Sequence, residues 1–198
     1  SLQNNKYYST KNKNEIILAG CSLKHLEEKY KLNHKDLSIF LPIEQNELKG
    51  TNIQIHYLGY YKKWVPQEAY YYAVENANFS ARPFRTQGTY SKYSGIDDKI
   101  DDLHFYTSFI KFGLGRASYD AAQEIRNKHI TLEEGKLLVK KFDGEFPDRY
   151  FSEVMNYIGM EEEKFHEICD NSRSPHLWIK TNNGWKLRHN VNKDGYDD

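Results

Sequence analysis

Within Lys111-Phe112-Gly113-Leu114-Gly115-Arg116-Ala117-Ser118, two glycines, two cations and a hydroxyl stand close together. Gly113 and Gly115 separate two helical stretches, and Ser118 is placed to cap the second. Free N–H groups at a helix start, beside Lys111 and Arg116, make an anion site. Arginine suits phosphate or carboxylate because its planar fork binds both oxygens. The same residues also describe a plain helix–helix corner with a glycine cap and a surface arginine.

A second cluster precedes it. Asp97 and Asp101 are four residues apart, as are Asp98 and Asp102, with Lys99 between them and His104 following. Carboxylates grouped this way can hold Mg²⁺ together with substrate phosphates. They can also accept a proton or orient an amine. A solvated acidic helix start, favoured by the helix dipole, is the plainer reading. Upstream, Arg82, Arg85 and Lys92 alternate with Tyr90 and Tyr93. That mixture fits a sugar acid, or nucleic acid held by charge and stacking.

Other chemistries lack their residues. The histidines show neither H-x-x-x-H nor H-E-x-x-H spacing, so no zinc site is expected. No G-x-S-x-G elbow and no G-x-x-x-x-G-K-[ST] loop occurs. Cys21 and Cys169 stand far apart and build no disulfide framework. Lys plus Arg and Asp plus Glu both number 28, so the chain has no global pull toward nucleic acid. No run approaches the length of a membrane helix, and no signal-peptide pattern opens the chain.

The elements that must position these residues follow from pattern. Residues 16–20 form an apolar run ending in glycine, expected as a buried strand of an α/β sheet. Residues 53–58 alternate and predict a strand. Pro66 opens a helix to Ala77 on which Tyr70, Tyr71 and Tyr72 wrap more than half the circumference, so at least one must face a cleft or partner. A helix is expected from Ile96 to the Gly113 corner, and another from Ser118 to about Lys128. Thr131 and Glu134 spell a capping box. Helices over 148–158 and 161–169 follow, then two alternating segments around Asn183-Gly184, a hairpin signal. The fold class is therefore mainly α with minor β (α+β). Its boundary is expected after residue 55, with a mostly helical domain over 56–198 and the hairpin near 177–188.

Several segments resemble the bacterial N-acetyl sugar amidotransferases of surface-polysaccharide pathways. They are residues 57–64, Thr86-Gln87-Gly88-Thr89-Tyr90-Ser91-Lys92-Tyr93 running into 96–102, and 109–117. Residues 120–126, Asp143-Gly144-Glu145-Phe146-Pro147 and Ser174-Pro175-His176-Leu177-Trp178 continue the likeness. It spans roughly 55–189. It implies an enzyme of the PP-loop ATP pyrophosphatase group that converts a sugar acetamido group into an acetamidino group. Products would enter lipopolysaccharide O-antigen or flagellar nonulosonic acids such as pseudaminic acid. The family's S-G-G-x-D-S loop is absent here. The front is thus expected to be the remnant of an α/β PP-loop domain. ATP and Mg²⁺ would be bound by an upstream half, no cofactor tightly by this chain, which alone would not turn over.

The expected partners are an acetamido sugar and glutaminase and ammonia-channel subunits resembling the histidine-biosynthesis pair, in the cytoplasm, with no nucleic acid and no membrane span. Lys111 and Arg116 are expected to hold phosphate or a sugar carboxylate. Asp97, Asp98 and Asp101 are expected to serve Mg²⁺, substrate hydroxyls or the incoming amine. Tyr90, Lys92, His104, Gly113, Gly115, Ser118 and Asp120 complete the expected substrate contacts, with no metal site of the chain's own. The competing readings are a module that docks the ammonia-delivering subunits, and an RNA-modifying relative.

Overall fold

A computed structural model describes residues 16–18, 20–43, 48 and 50–191. The chain divides into two units, 1–64 and 65–198. The described residues are mainly helical, with two small antiparallel hairpins.

In the first unit, β1 (Ile17–Leu18) turns at Gly20 (φ 81°) and pairs with β2 (Cys21–Ser22). The left-handed glycine reverses the chain at once, so the apolar run forms a two-residue hairpin strand instead of a buried sheet strand, and Ile17 is 61% exposed. Ser22 caps α1 (Leu23–Tyr30), and Asn33 with Asp36 forms a capping box on α2 (His34–Leu37). A 3₁₀ turn, Ser38–Phe40, follows. The strand expected over 53–58 is not there: only His56 makes a bridge, Ile53 and Ile55 are exposed, and α3 (Leu58–Tyr61) begins. Among the described residues no strand pairs along this stretch, and alternation alone does not make one.

The second unit begins with α4 (Pro66–Ala77), started by its proline and ended by Asn78 in the left-handed region. Tyr70 stacks on Tyr93 with ring centroids 4.5 Å apart, while Tyr71 and Tyr72 are exposed. A long ordered loop leads to α5 (Asp101–Phe112). This helix starts later than Ile96 because the Asp98 carboxylate accepts the Ile100 N–H at 2.7 Å. Such a side-chain turn competes with the first helical turn. Asp97 and Asp98 therefore stand on a loop, not on the helix.

Next come α6 (Arg116–Arg126) and α7 (Leu132–Phe142), the latter with the Thr131–Glu134 capping box read from sequence. α8 (Phe151–Ile158) starts after a turn at 148–150, and α9 (Glu162–Asn171) follows. Ile110, Phe151, Val154, Met155, Phe165 and Cys169 form the buried core of this unit. Burying each large side chain there contributes about 1.5–3 kcal/mol. The final hairpin, β3 (Trp178–Thr181) with β4 (Gly184–Leu187), is clipped to α5 by Trp178 Nε1–H donating to the Ile110 carbonyl at 2.8 Å. α5 is thus held from behind by this apolar core and α6 packs on α7, leaving their polar sides to form a site.

Candidate functional site

The loop before α5 is polar yet buried: Thr86 and Thr89 are fully covered, and Gln87, Ser91 and Ser94 nearly so. Burial of so many polar groups is tolerated only where each finds a partner. Some partners lie within the loop or on α6, and those of Arg85, Gln87 and Gly88 come from the stretch 143–149. Arg85 Nη1 donates to Glu145 Oε2 at 2.6 Å and Arg85 Nη2 to the other oxygen, while the Gly88 N–H meets Glu145 Oε2 at 2.9 Å. Gln87 donates to Asp148 and to the Phe146 carbonyl, and its oxygen accepts the Arg149 N–H at 2.9 Å. Within the loop, Thr86 Oγ1 donates to the Ser94 carbonyl at 2.5 Å.

Two arginines reach Asp102 at the first turn of α5. Arg82 and Arg149 each bring a nitrogen to 3.6 Å of its carboxylate, which is 1% exposed. The Gln87 amide lies near enough to favour the charge without completing a hydrogen bond, and neither oxygen accepts one from a described residue. Burial pushes this carboxyl up, and the two arginines only partly oppose it.

The cluster open to solvent lies along α6. Arg116 Nε donates to Asp120 Oδ1 at 2.9 Å, and Arg116 Nη2 to Ser94 Oγ at 3.1 Å. Thr89 Oγ1 donates to Asp120 Oδ2 at 2.6 Å. The guanidinium lies 5.2 Å from both the Phe105 and the Tyr119 rings, and Tyr119 is 55% exposed. Burial pushes the Asp120 carboxyl up, with Thr89 and Arg116 opposing and Glu124 adding repulsion. Burial likewise pushes the Tyr90 hydroxyl up, and raises Tyr93 to about 12 with help from Glu124 and Asp120. Tyr93 donates to Gln67 of α4 at 2.8 Å.

Of the residues expected from sequence, Arg116, Asp120 and Tyr90 come together here. Others do not. Lys111 is exposed at the end of α5, 5.3 Å from the Phe112 ring, and makes no ion pair with a described residue. Lys92 gives its backbone carbonyl to Arg82, and its side chain is exposed, as is His104. Gly113 is the left-handed cap that ends α5. Asp101 is half-buried and pushed up by burial and by the charges of Asp97 and Asp98.

The anion at the start of α6 is the chain's own. Asp143 accepts the Gly115 N–H at 3.0 Å, the Ser118 N–H at 3.1 Å and the Ser118 hydroxyl at 2.6 Å. Ser118 is thus not the cap: it stands inside the first turn, and Gly115 precedes the helix. A side chain on Gly115 would overlap that carboxylate. These amides are consequently not available to the phosphates of a nucleotide. No group of three or more His, Cys, Asp or Glu among the described residues is placed to hold a metal ion.

Sequence reading missed Asp143, Glu145, Glu124 and His129. The first two act across the chain. Glu124 was detectable, since Arg116, Asp120 and Glu124 recur every four residues and share one helix face.

The C-terminal domain of WbpG-like LPS biosynthesis proteins matches residues 87–192. The match covers more than half of the chain, and the chain belongs to that family of lipopolysaccharide biosynthesis proteins. It takes in Arg116, Asp120, Asp143 and Glu145. No curated protein matches the chain. No helix among the described residues is long and apolar enough to cross a membrane.

Proposed function

We propose that this chain is the sugar-holding part of an N-acetyl sugar amidotransferase, which replaces an acetamido oxygen with ammonia nitrogen to give an acetamidino group. Lipopolysaccharide biosynthesis is the family's setting, and O-antigen or nonulosonic sugars are the substrate class. The observation that carries the reading is the Arg116–Asp120 pair. Its guanidinium is 30% exposed and its carboxylate is fixed by Thr89 and Arg116 itself.

Arg116 keeps donors free for a phosphate or sugar carboxylate. Asp120 accepts from a hydroxyl or an acetamido N–H. The exposed Tyr119 ring covers an apolar sugar face, as aromatic rings do when one side stays wet. ATP activation and Mg²⁺ belong, in this reading, to a part of the enzyme beyond these residues. Ammonia arrives from a glutaminase partner, and the reaction takes place in the cytoplasm.

The test is calorimetric titration of the chain with nucleotide-linked acetamido sugars and free nonulosonates. Binding that falls at least about tenfold in Arg116→Ala, the loss of one charge-assisted contact, is expected. A folded chain that binds none of these sugars overturns the reading. Tyr71 and Tyr72, exposed on α4, favour a second role as a docking face for the ammonia-delivering subunits. Co-purification lost in a Tyr71→Ala, Tyr72→Ala double variant tests it.

A further inference from the structure

The acidic row on α6 does not end at Asp120. Glu124 is the next residue on that face, about 6 Å further along at the rise of an α-helix. Its side chain is 13% exposed, and its charge reaches Asp120, Tyr90 and Tyr93. Glu124 Oε2 stands 2.6 Å from His129 Nδ1.

The backbone fixes this pair. α6 ends with Lys128 in the left-handed region (φ 65°), the Lys128 N–H bonds the Ile125 carbonyl, and the His129 N–H bonds the Glu124 carbonyl at 2.9 Å. This is the paired-bond helix ending that brings the chain back over its last turn. His129 is therefore tied to Glu124 by main chain and side chain together. With Nδ1–H given to the carboxylate, the lone pair lies on Nε2, which has no partner among the described residues. An imidazole oriented by a carboxylate, with its other nitrogen open, is the arrangement of a proton acceptor.

We infer that Glu124 and His129 form a proton-accepting dyad at the far end of the Arg116–Asp120 site. His129 Nε2 takes a proton from an N–H or O–H of the bound sugar or of the incoming amine, Glu124 stabilises the imidazolium, and the exposed ring returns the proton to solvent. Arg116 then anchors one end of the sugar, Asp120 holds its middle, and His129 meets the other. The inference rests on the sugar-binding reading.

Diethyl pyrocarbonate, which acylates the neutral imidazole nitrogen, tests it on the whole chain, with modified histidines located by mass spectrometry. His129 is expected to react, to slow several-fold in Glu124→Gln, and to be protected by whichever of UDP-N-acetylglucosamine or N-acetylneuraminic acid binds in calorimetry. His129→Gln should leave that binding within about twofold while lowering turnover of the complete enzyme by about a hundredfold or more, as loss of a general base does. Reaction unaffected by Glu124→Gln, or a sugar that binds without protecting His129, overturns the dyad and leaves the Arg116 reading standing. Sugar binding absent altogether removes the Arg116 reading and the dyad with it.

Discussion

The Glu145 carboxylate grips the Arg85 guanidinium with both oxygens across sixty residues of sequence, and one of those oxygens also accepts the Gly88 N–H. Two segments that look like separate motifs are thus one structure, with 143–149 as the cradle of 85–89. Burial works against the Glu145 charge, but Arg85 and the Gly88 amide outweigh it and hold the carboxyl below its usual range. Glu145→Ala should therefore leave the Gly88 amide unpaired and a half-buried arginine with only the Thr86 and Thr89 carbonyls as acceptors. The expected cost is about 2–3 kcal/mol, short of a fully buried pair because both side chains keep some water. Urea unfolding measures it, and a loss under about half a kcal/mol would show the pair to be idle.

Asp143 does for α6 what an N-cap side chain does for an ordinary helix, from outside it. Asp143→Ala frees the Gly115 and Ser118 amides and the Ser118 hydroxyl, at an expected cost of about 2 kcal/mol. Because α6 carries Arg116 and Asp120, sugar affinity should fall with stability. Asp143→Asn keeps one acceptor oxygen and should recover part of both. Chemical denaturation and calorimetry on the same preparations read the two effects, and equal stability of wild type and Asp143→Ala would refute the capping role.

Local signals told the truth where the structure is local. The Thr131–Glu134 box and the Asn183-Gly184 turn name α7 and the β3–β4 hairpin because both are settled within a few residues. The Gly113 corner was legible for the same reason. The stretch 79–93 shows no period and is a loop as that pattern says, but its partners over 143–149 leave no mark in its own sequence. The start of α6 shows the limit best: free amides beside Arg116 were visible, but the carboxylate that satisfies them lies 25 residues further on. Reading Asp97 to Asp102 as one helical cluster failed because Asp98 spends its carboxylate on the Ile100 amide.

Tyr119 offers a way to separate the site from the scaffold. It is 55% exposed and faces the Arg116 guanidinium at 5.2 Å, so the core does not depend on it. Losing a ring that stacks on a sugar costs about 1 kcal/mol, or about fivefold in affinity. Tyr119→Ala should weaken sugar binding by that factor with unfolding unchanged, while Tyr119→Phe keeps the ring and most of the affinity. Equal affinity in all three chains would place the sugar elsewhere.

Asp102 decides whether burial or ion pairing dominates beneath the site. Its carboxyl is pushed above the ordinary value of 3.8, with burial as the first cause, so two arginines at 3.6 Å do not compensate for the water it has lost. The sign of the linkage follows. A group whose folded value is raised contributes stability that is complete below 3.8 and disappears as the pH climbs through the folded value. Asparagine has the shape of the protonated acid and cannot ionise. Asp102→Asn should thus be more stable than the wild type at neutral pH, and the gap should close as the pH falls toward 3.8. Urea melts of both chains across that range read the difference directly, the remaining groups being common to the two. A gap that instead favours the wild type at neutral pH would mean that the arginines hold Asp102 charged at a profit to the fold, and that Arg82 and Arg149 depend on it for their placement.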